Sequence, residues 1–147
     1  MMDKIKTLRE KTGAGVMDAK KSLEEAKGDM AKAEELIAQR GLTKAANKVD
    51  REVKSGRVQA YIHTPGRVGA MVEIACETDF VANTEDFATL GKEIAMQVAS
   101  MNPADVEVLM KQDYIRDSGK KIENLVKALI AKTGENIKVI RFVRFAL

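Results

Sequence analysis

Tryptophan is absent from this sequence and aromatic residues make up only 4% of it, so a core has to be assembled from Ala, Val, Ile, Leu and Met. Cysteine occurs once, which rules out an internal disulfide and suits a reducing compartment; the expected location is cytoplasmic. Histidine also occurs once, and no His, Cys and carboxylate group stands at metal-ligand spacing, so no metal is expected. A Gly-x-Ser-x-Gly elbow, a kinase signature and a zinc-protease helix are all missing. Enzyme chemistry would have to come from scattered carboxylates such as Glu73, Glu77 and Asp79, and the reading is a protein that is not an enzyme and uses no cofactor. No run approaches the ~18 apolar residues of a membrane span, and the start lacks the apolar block of a signal peptide, so no membrane is expected. A basic footprint is lacking too. Up to Lys54 there are 13 Lys and Arg against 10 Asp and Glu, and from Ser55 onward 12 against 12, which argues against a direct nucleic-acid partner.

What is present is 147 residues with 45% apolar and 32% charged content. A chain of this length buries roughly 68–70% of its extended surface, enough for one core and a small satellite. Residues 3–41 read as three short helices. Asp3 caps the first, with Ile5 and Leu8 as its stripe, and Thr12-Gly13-Ala14-Gly15 breaks it. Val16, Ala19, Leu23 and Ala26 line the second, which stops at Gly28; Asp29 caps the third, with Met30, Ala33, Leu36 and Ile37 inside and Gly41 at its end. Gly13-Ala14-Gly15 lacks a preceding strand and a following Gly-Lys-Ser/Thr, so a tight turn accounts for it better than a phosphate cradle. Thr43–Lys54 reads as a linker helix with a sparse stripe of Ala45, Ala46, Val49 and Val53. These features predict a first unit over residues 1–54 and a second over 55–147.

The second unit opens with a hairpin: Arg57–His63, a turn at Thr64-Pro65-Gly66-Arg67, and Val68–Cys76. Thr84–Met101 reads as a helix burying Phe87, Leu90, Ile94, Val98 and Met101, stopped by Asn102-Pro103. A turn or two follows near Asp105–Met110, then a helix over Lys120–Lys132 ended by Gly134, and a last strand over Ile137–Phe145. Alternation puts Ile137, Val139, Val143 and Phe145 on one side of that strand and Ile140 and Phe142 on the other, with Tyr61 or Met71 as neighbours. A three-stranded sheet covered by helices on one side needs only one apolar face. A second apolar face is explained either by an overlying loop or by self-association through Tyr61, Met71, Ile140 and Phe142. The expected fold is α+β: a three-helix module, a linker helix, and a small antiparallel three-stranded sheet with helices packed on one face.

Glu77-Thr78-Asp79-Phe80-Val81-Ala82-Asn83 sits where the second strand gives way to a helix, a corner at which an aromatic can point outward or fold into the core. His63 reads as a solvated turn residue and Cys76 as a small apolar one.

Three segments then stand together. Leu8-Arg9-Glu10-Lys11-Thr12-Gly13-Ala14-Gly15-Val16-Met17-Asp18-Ala19-Lys20-Lys21, Val72–Ala82 and Ala131-Lys132-Thr133-Gly134-Glu135-Asn136-Ile137 each resemble hallmarks of the bacterial-type translation elongation factor Ts family. The resemblance implies a guanine-nucleotide exchange factor for elongation factor Tu, binding its GDP-bound and nucleotide-free forms. It also implies that the first module resembles ubiquitin-associated domains and touches the GTPase domain through Arg9, Val16, Met17 and Lys20. Asp79 and Phe80, flanked by Thr78 and Val81, would be pushed between helices near the Mg²⁺ and nucleotide site, with Gly134 as a further contact. Two departures stand out: Thr133 takes the place of the usual apolar residue, and a long helical insertion after Met101 is missing. The second points to the short form, which pairs with itself as a homodimer by stacking sheets. Outside the family reading, the residues also fit a small non-catalytic module that docks a helix and carries a dimerisation domain.

Overall fold

The structure, a computed structural model, describes residues 2–147. Its first helices are α1 (Met2–Thr12), α2 (Val16–Glu25) and α3 (Met30–Ala46). Leu8, Ala19, Leu23, Ala26 and Ala33 are buried between them, with Ile5, Met30, Leu36 and Ile37 packed around this cluster. The turns follow from backbone chemistry. Gly13 at φ +73° and Gly28 at φ +84° adopt the left-handed conformation that lets each helix reverse. The Asp29 carboxylate accepts from the Lys32 N–H at 3.2 Å and caps α3, as its sequence position predicts. Asp3 does not cap α1, which already begins at Met2 and leaves that acid in the first turn.

A separate linker helix over Thr43–Lys54 is not formed, and Gly41 does not end the third helix. α3 continues unbroken through Gly41 to Ala46, followed by turns through Asp50 and an irregular approach to the sheet. The reason lies across the helix pair: a Cβ on Gly41 would come within 3.2 Å of the Ala131 methyl, so this glycine marks a close approach. A mid-helix glycine costs about 1 kcal/mol against alanine, and here the space it leaves admits a neighbouring helix. Ala45, one turn further on, packs into the second cluster.

That second cluster belongs to a sheet of β1 (Ser55–His63), β2 (Val68–Cys76) and β5 (Ile137–Ala146), antiparallel in the order β1-β2-β5. Between β2 and β5 the chain forms α4 (Asp79–Ala82), α5 (Glu85–Met101), α6 (Val106–Lys111), the short hairpin β3 (Asp113–Tyr114) and β4 (Asp117–Lys121), and α7 (Ile122–Thr133). The fold is thus α+β, N-terminal helices followed by a small three-stranded sheet with its helices. Phe87, Leu90, Ile94 and Val98 of α5 are buried, whereas Met101 is half exposed where the helix ends at left-handed Asn102. α5 lies so close to the sheet that a Cβ on Gly91 would sit 3.0 Å from that of Gln59. The β3–β4 hairpin carries no apolar alternation to announce it. Buried Gln97 holds it instead, donating to the Asp113 carbonyl at 3.0 Å and accepting from the Ile115 N–H at 3.0 Å.

The faces of β5 differ from simple alternation because of a bulge. Glu73 pairs with Arg141 but Ile74 pairs with Val139, leaving Ile140 without an opposite residue. One extra residue reverses the side-chain parity beyond it. Ile137 and Val139 face the helices with Ile74 and Cys76; after the bulge Phe142 and Arg144, opposite Val72 and Ala70, take that side. Tyr61, opposite Ala70, also packs on the helix side. The expectation that Tyr61 and Phe142 lie on the open face is therefore overturned, as is the placing of Val143 and Phe145 with Ile137. Met71 is on the open face beside Val143, Phe145 crosses to Gly69, and Ile62 reaches over Gly69 from β1. Val58, Ile62, Met71, Val143 and Phe145 together make an exposed apolar surface, with Ile140 exposed at the bulge.

Candidate functional site

β2 ends in buried Cys76, whose thiol donates to the Thr78 carbonyl at 3.2 Å. Burial, chiefly, pushes its pKa up, so it stays a neutral packing group. The Thr78 hydroxyl accepts from the Val81 N–H at 3.4 Å and starts the single turn α4. Successive residues of that turn point about 100° apart. Val81 and Ala82 consequently sink into the core while Phe80 stands out, 83% exposed. Val81, placed by the sequence among partner-facing residues, is the anchor of the turn; only 4% of it reaches solvent.

A lone aromatic ring held in water needs a rigid base to be presented in one direction, and the corner has one. The Glu135 carboxylate accepts from the Glu77 N–H at 3.1 Å, the Thr78 N–H at 2.9 Å and the Thr78 hydroxyl at 2.7 Å. In return, Glu77 accepts from the Asn136 N–H at 2.6 Å. Arg51 donates to the Gly134 carbonyl at 3.1 Å and lies 3.6 Å from the Glu77 carboxylate. Asn136, 1% exposed, donates from its amide to the Val49 and Arg51 carbonyls at 3.2 and 2.7 Å. The Ser55 hydroxyl donates to Asp79. Those that involve the Glu135, Glu77 and Asp79 carboxylates or the Arg51 guanidinium are charge-assisted, about twice as strong as neutral ones. They fasten the corner to the exit of α7 and to the chain segment entering the sheet.

Gly134 supplies that exit, capping α7 at φ +76°. Thr133 bonds its own helix, donating to the Leu129 carbonyl at 2.8 Å and accepting from the Glu135 N–H at 3.2 Å. The hydroxyl thus serves the backbone where an apolar residue would offer only surface.

The other sequence-predicted residues lie on the first helices. Met17 is 75% and Val16 49% exposed at the start of α2, with Lys20 one turn on and Arg9 donating to the Ala14 carbonyl at 3.4 Å. Among the described residues no hydrogen bond or ion pair joins this surface to the corner. The structure therefore brings Thr78, Asp79, Phe80 and Gly134 together and leaves Arg9, Val16, Met17 and Lys20 as a second surface. Glu135 and Asn136 stood in the third family-like segment without a role assigned to them, and Arg51 and Ser55 escaped the sequence reading, with no local signal to find them. His63 is exposed, its ring nitrogen 2.9 Å from the Tyr61 hydroxyl, as expected of a turn residue. No group of three or more His, Cys, Asp or Glu among the described residues is arranged to hold a metal, and none of their helices is long and apolar enough to cross a membrane.

Comparison with known proteins finds relatives along nearly the whole chain. The family profile "Elongation factor TS" matches residues 77–147, beginning at the corner. Elongation factor Ts of a Thermoanaerobacter species is 40% identical over 186 aligned positions, spanning 96% of this chain and 91% of that protein. The Anaeromyxobacter dehalogenans protein of the same name is 42% identical, covering 97% and 86%. That of Thermotoga maritima is 41% identical, covering 99% and 95%. An alignment of 186 positions against a chain of 147 residues means that the Thermoanaerobacter relative carries at least 39 residues without a counterpart here. With such identity along nearly its whole length, the chain belongs to the elongation factor Ts family of translation elongation factors.

Proposed function

We propose that this protein speeds GDP release from elongation factor Tu by inserting Phe80, with Asp79 beside it, next to the Mg²⁺ and nucleotide site of that GTPase. The observation carrying this reading is the exposed Phe80 ring on a corner clamped by the three hydrogen bonds that the Glu135 carboxylate accepts. Nucleotide affinity in such GTPases rests on the phosphate loop and on Mg²⁺ bridging phosphate and protein. A ring that displaces the helices flanking this site weakens those contacts and lets GDP go. Linkage fixes the reciprocal: to the extent that the factor weakens GDP binding, GDP weakens binding of the factor. No catalytic acid or base is needed, so the protein acts without enzymatic chemistry. Truncating a buried aromatic anchor of this kind costs at least ~2 kcal/mol of binding.

Arg9, Val16, Met17 and Lys20 form the second contact, and Gly134 lies beside the first. Thr78 and Val81 contribute by fixing the turn, one as its cap and the other as its root. The chain works as two units, 1–54 and 55–147, with α3 shared between them, and acts in the cytoplasm. It pairs with itself through the open sheet face, using Met71, Val143, Phe145, Ile62 and Val58. The exposed apolar character of that face supports this.

Release of fluorescent GDP from elongation factor Tu tests the central claim. Substoichiometric amounts of the chain should accelerate release, and Phe80→Ala should abolish most of the gain. Tight binding with an unchanged GDP off-rate would reduce the protein to a docking module. Sedimentation at micromolar concentration tests the pairing: a dimer that Val143→Glu makes monomeric supports it, and a wild-type monomer overturns it.

A further inference from the structure

We infer that Glu135 is the positioning residue for exchange: its carboxylate sets the direction in which Phe80 is presented. This deepens the proposed exchange activity and rests on it. The Glu135 carboxylate is turned toward its own chain. It accepts three hydrogen bonds from the two residues before Asp79, one oxygen taking both backbone N–H groups and the other the Thr78 hydroxyl. That hydroxyl is the cap of α4. The line of force is short: carboxylate, Thr78, one helical turn, ring. Val81 and Ala82 pin one side of it by burial, which resists withdrawal from the core. Rotation of a four-residue helix about that root is opposed by the hydrogen bonds at its start, from Glu135 and from Ser55 to Asp79. Glu135 is itself held, because the adjoining Asn136 N–H is returned to Glu77 and the Glu135 N–H donates to Thr133.

The consequence concerns which kinetic quantity changes. The first helices offer a contact surface that Glu135 does not touch, so the encounter with the GTPase survives its loss. A loosened turn lowers the fraction of encounters in which the ring is seated. The saturating rate of GDP release should fall while the concentration of factor giving half that rate moves little.

The test is a double-mutant cycle on labelled GDP release from elongation factor Tu, performed well below the melting temperature of every variant. Glu135→Ala should lower the saturating rate about tenfold, the scale of lost charge-assisted hydrogen bonds, with less than about a threefold change in half-saturation. Glu135→Gln keeps an acceptor for both backbone N–H groups and should recover to within about threefold of wild type. In a Phe80→Ala background, Glu135→Ala should cost nothing more, because a positioned ring is no longer there to misplace. A merely stabilising role would lower the melting temperature equally in both backgrounds and leave the rate of the folded protein intact. A folded Glu135→Ala variant with the wild-type saturating rate, or a loss that is undiminished in Phe80→Ala, overturns the inference while leaving the exchange reading standing. Failure of the exchange reading looks different: Phe80→Ala then matches wild type. Should Glu135→Ala fail to fold, Thr78→Val keeps both backbone bonds and drops the hydroxyl. Its saturating rate should fall about threefold, again only when Phe80 is present.

Discussion

The two surfaces proposed to meet a partner are held out by different means. Val16, Met17 and Lys20 lie on a regular helix whose other side is buried in a cluster of five small and aliphatic residues. Phe80 stands on one helical turn whose orientation is set by a lattice of hydrogen bonds among Glu77, Thr78, Glu135, Asn136 and Arg51. Apolar burial displays the first surface and polar clamping directs the second. Burial is forgiving of direction and grows with area, whereas hydrogen bonds carry little net energy but fix geometry. A contact that only needs to adhere suits the former, and one that has to enter a particular gap suits the latter.

Substitutions can separate these two devices. The largest effect belongs to Leu23→Ala, which hollows the small first cluster and should cost about 2–5 kcal/mol. Hydrogen exchange should show α1 and α2 losing protection while β2 keeps it; simultaneous loss in both would mean that the two clusters stand or fall as one. Next is Asn136→Ala, which strands the Val49 and Arg51 carbonyls and should cost about 1–3 kcal/mol in urea unfolding. Its loss of protection should centre on the corner and leave α1 and α2 unchanged. Phe80→Ala removes a ring that is in water and should shift stability by no more than ~0.5 kcal/mol, in either direction, even as it removes the exchange proposed for it. A larger loss would assign the ring to packing. The smallest effect concerns Asp18, whose pKa is lowered principally by its hydrogen bond to Lys44, 2.7 Å away. A depressed carboxylate pKa adds stability above the ordinary value near 3.8 and loses it as pH falls through the lowered one. Because both side chains are about half exposed, Asp18→Asn should cost only ~0.3 kcal/mol at neutral pH and nothing in strong acid.

This difference in support also decides what the sequence discloses. Helical spacing of Leu8, Ala19, Leu23 and Ala33, and alternation along Val68–Cys76, are one-dimensional signals, and the structure follows them. The caps at Asp29, Thr84 and Asp105 are equally local. Gly41 misleads because the same residue type ends helices and admits close neighbours, and only Ala131, ninety positions on, distinguishes the two. The parity of β5 misleads because a bulge is a property of a strand pair. The clamp on the corner joins positions 57 to 59 residues apart, so no window along the chain contains it. Family likeness pointed to Thr78, Asp79 and Phe80 without saying that Val81 faces inward or that Glu135 aims the turn.

The unopposed Ile140 has a consequence of its own. Were β5 to pair straight through Ile140 with no bulge, its end would turn inside out, sending Phe142 and Arg144 to the water and Val143 and Phe145 under the helices. The character of a whole outer wall is therefore governed by one unmatched residue, and deleting its codon would straighten the strand while leaving Phe142 inside and Val143 and Phe145 outside.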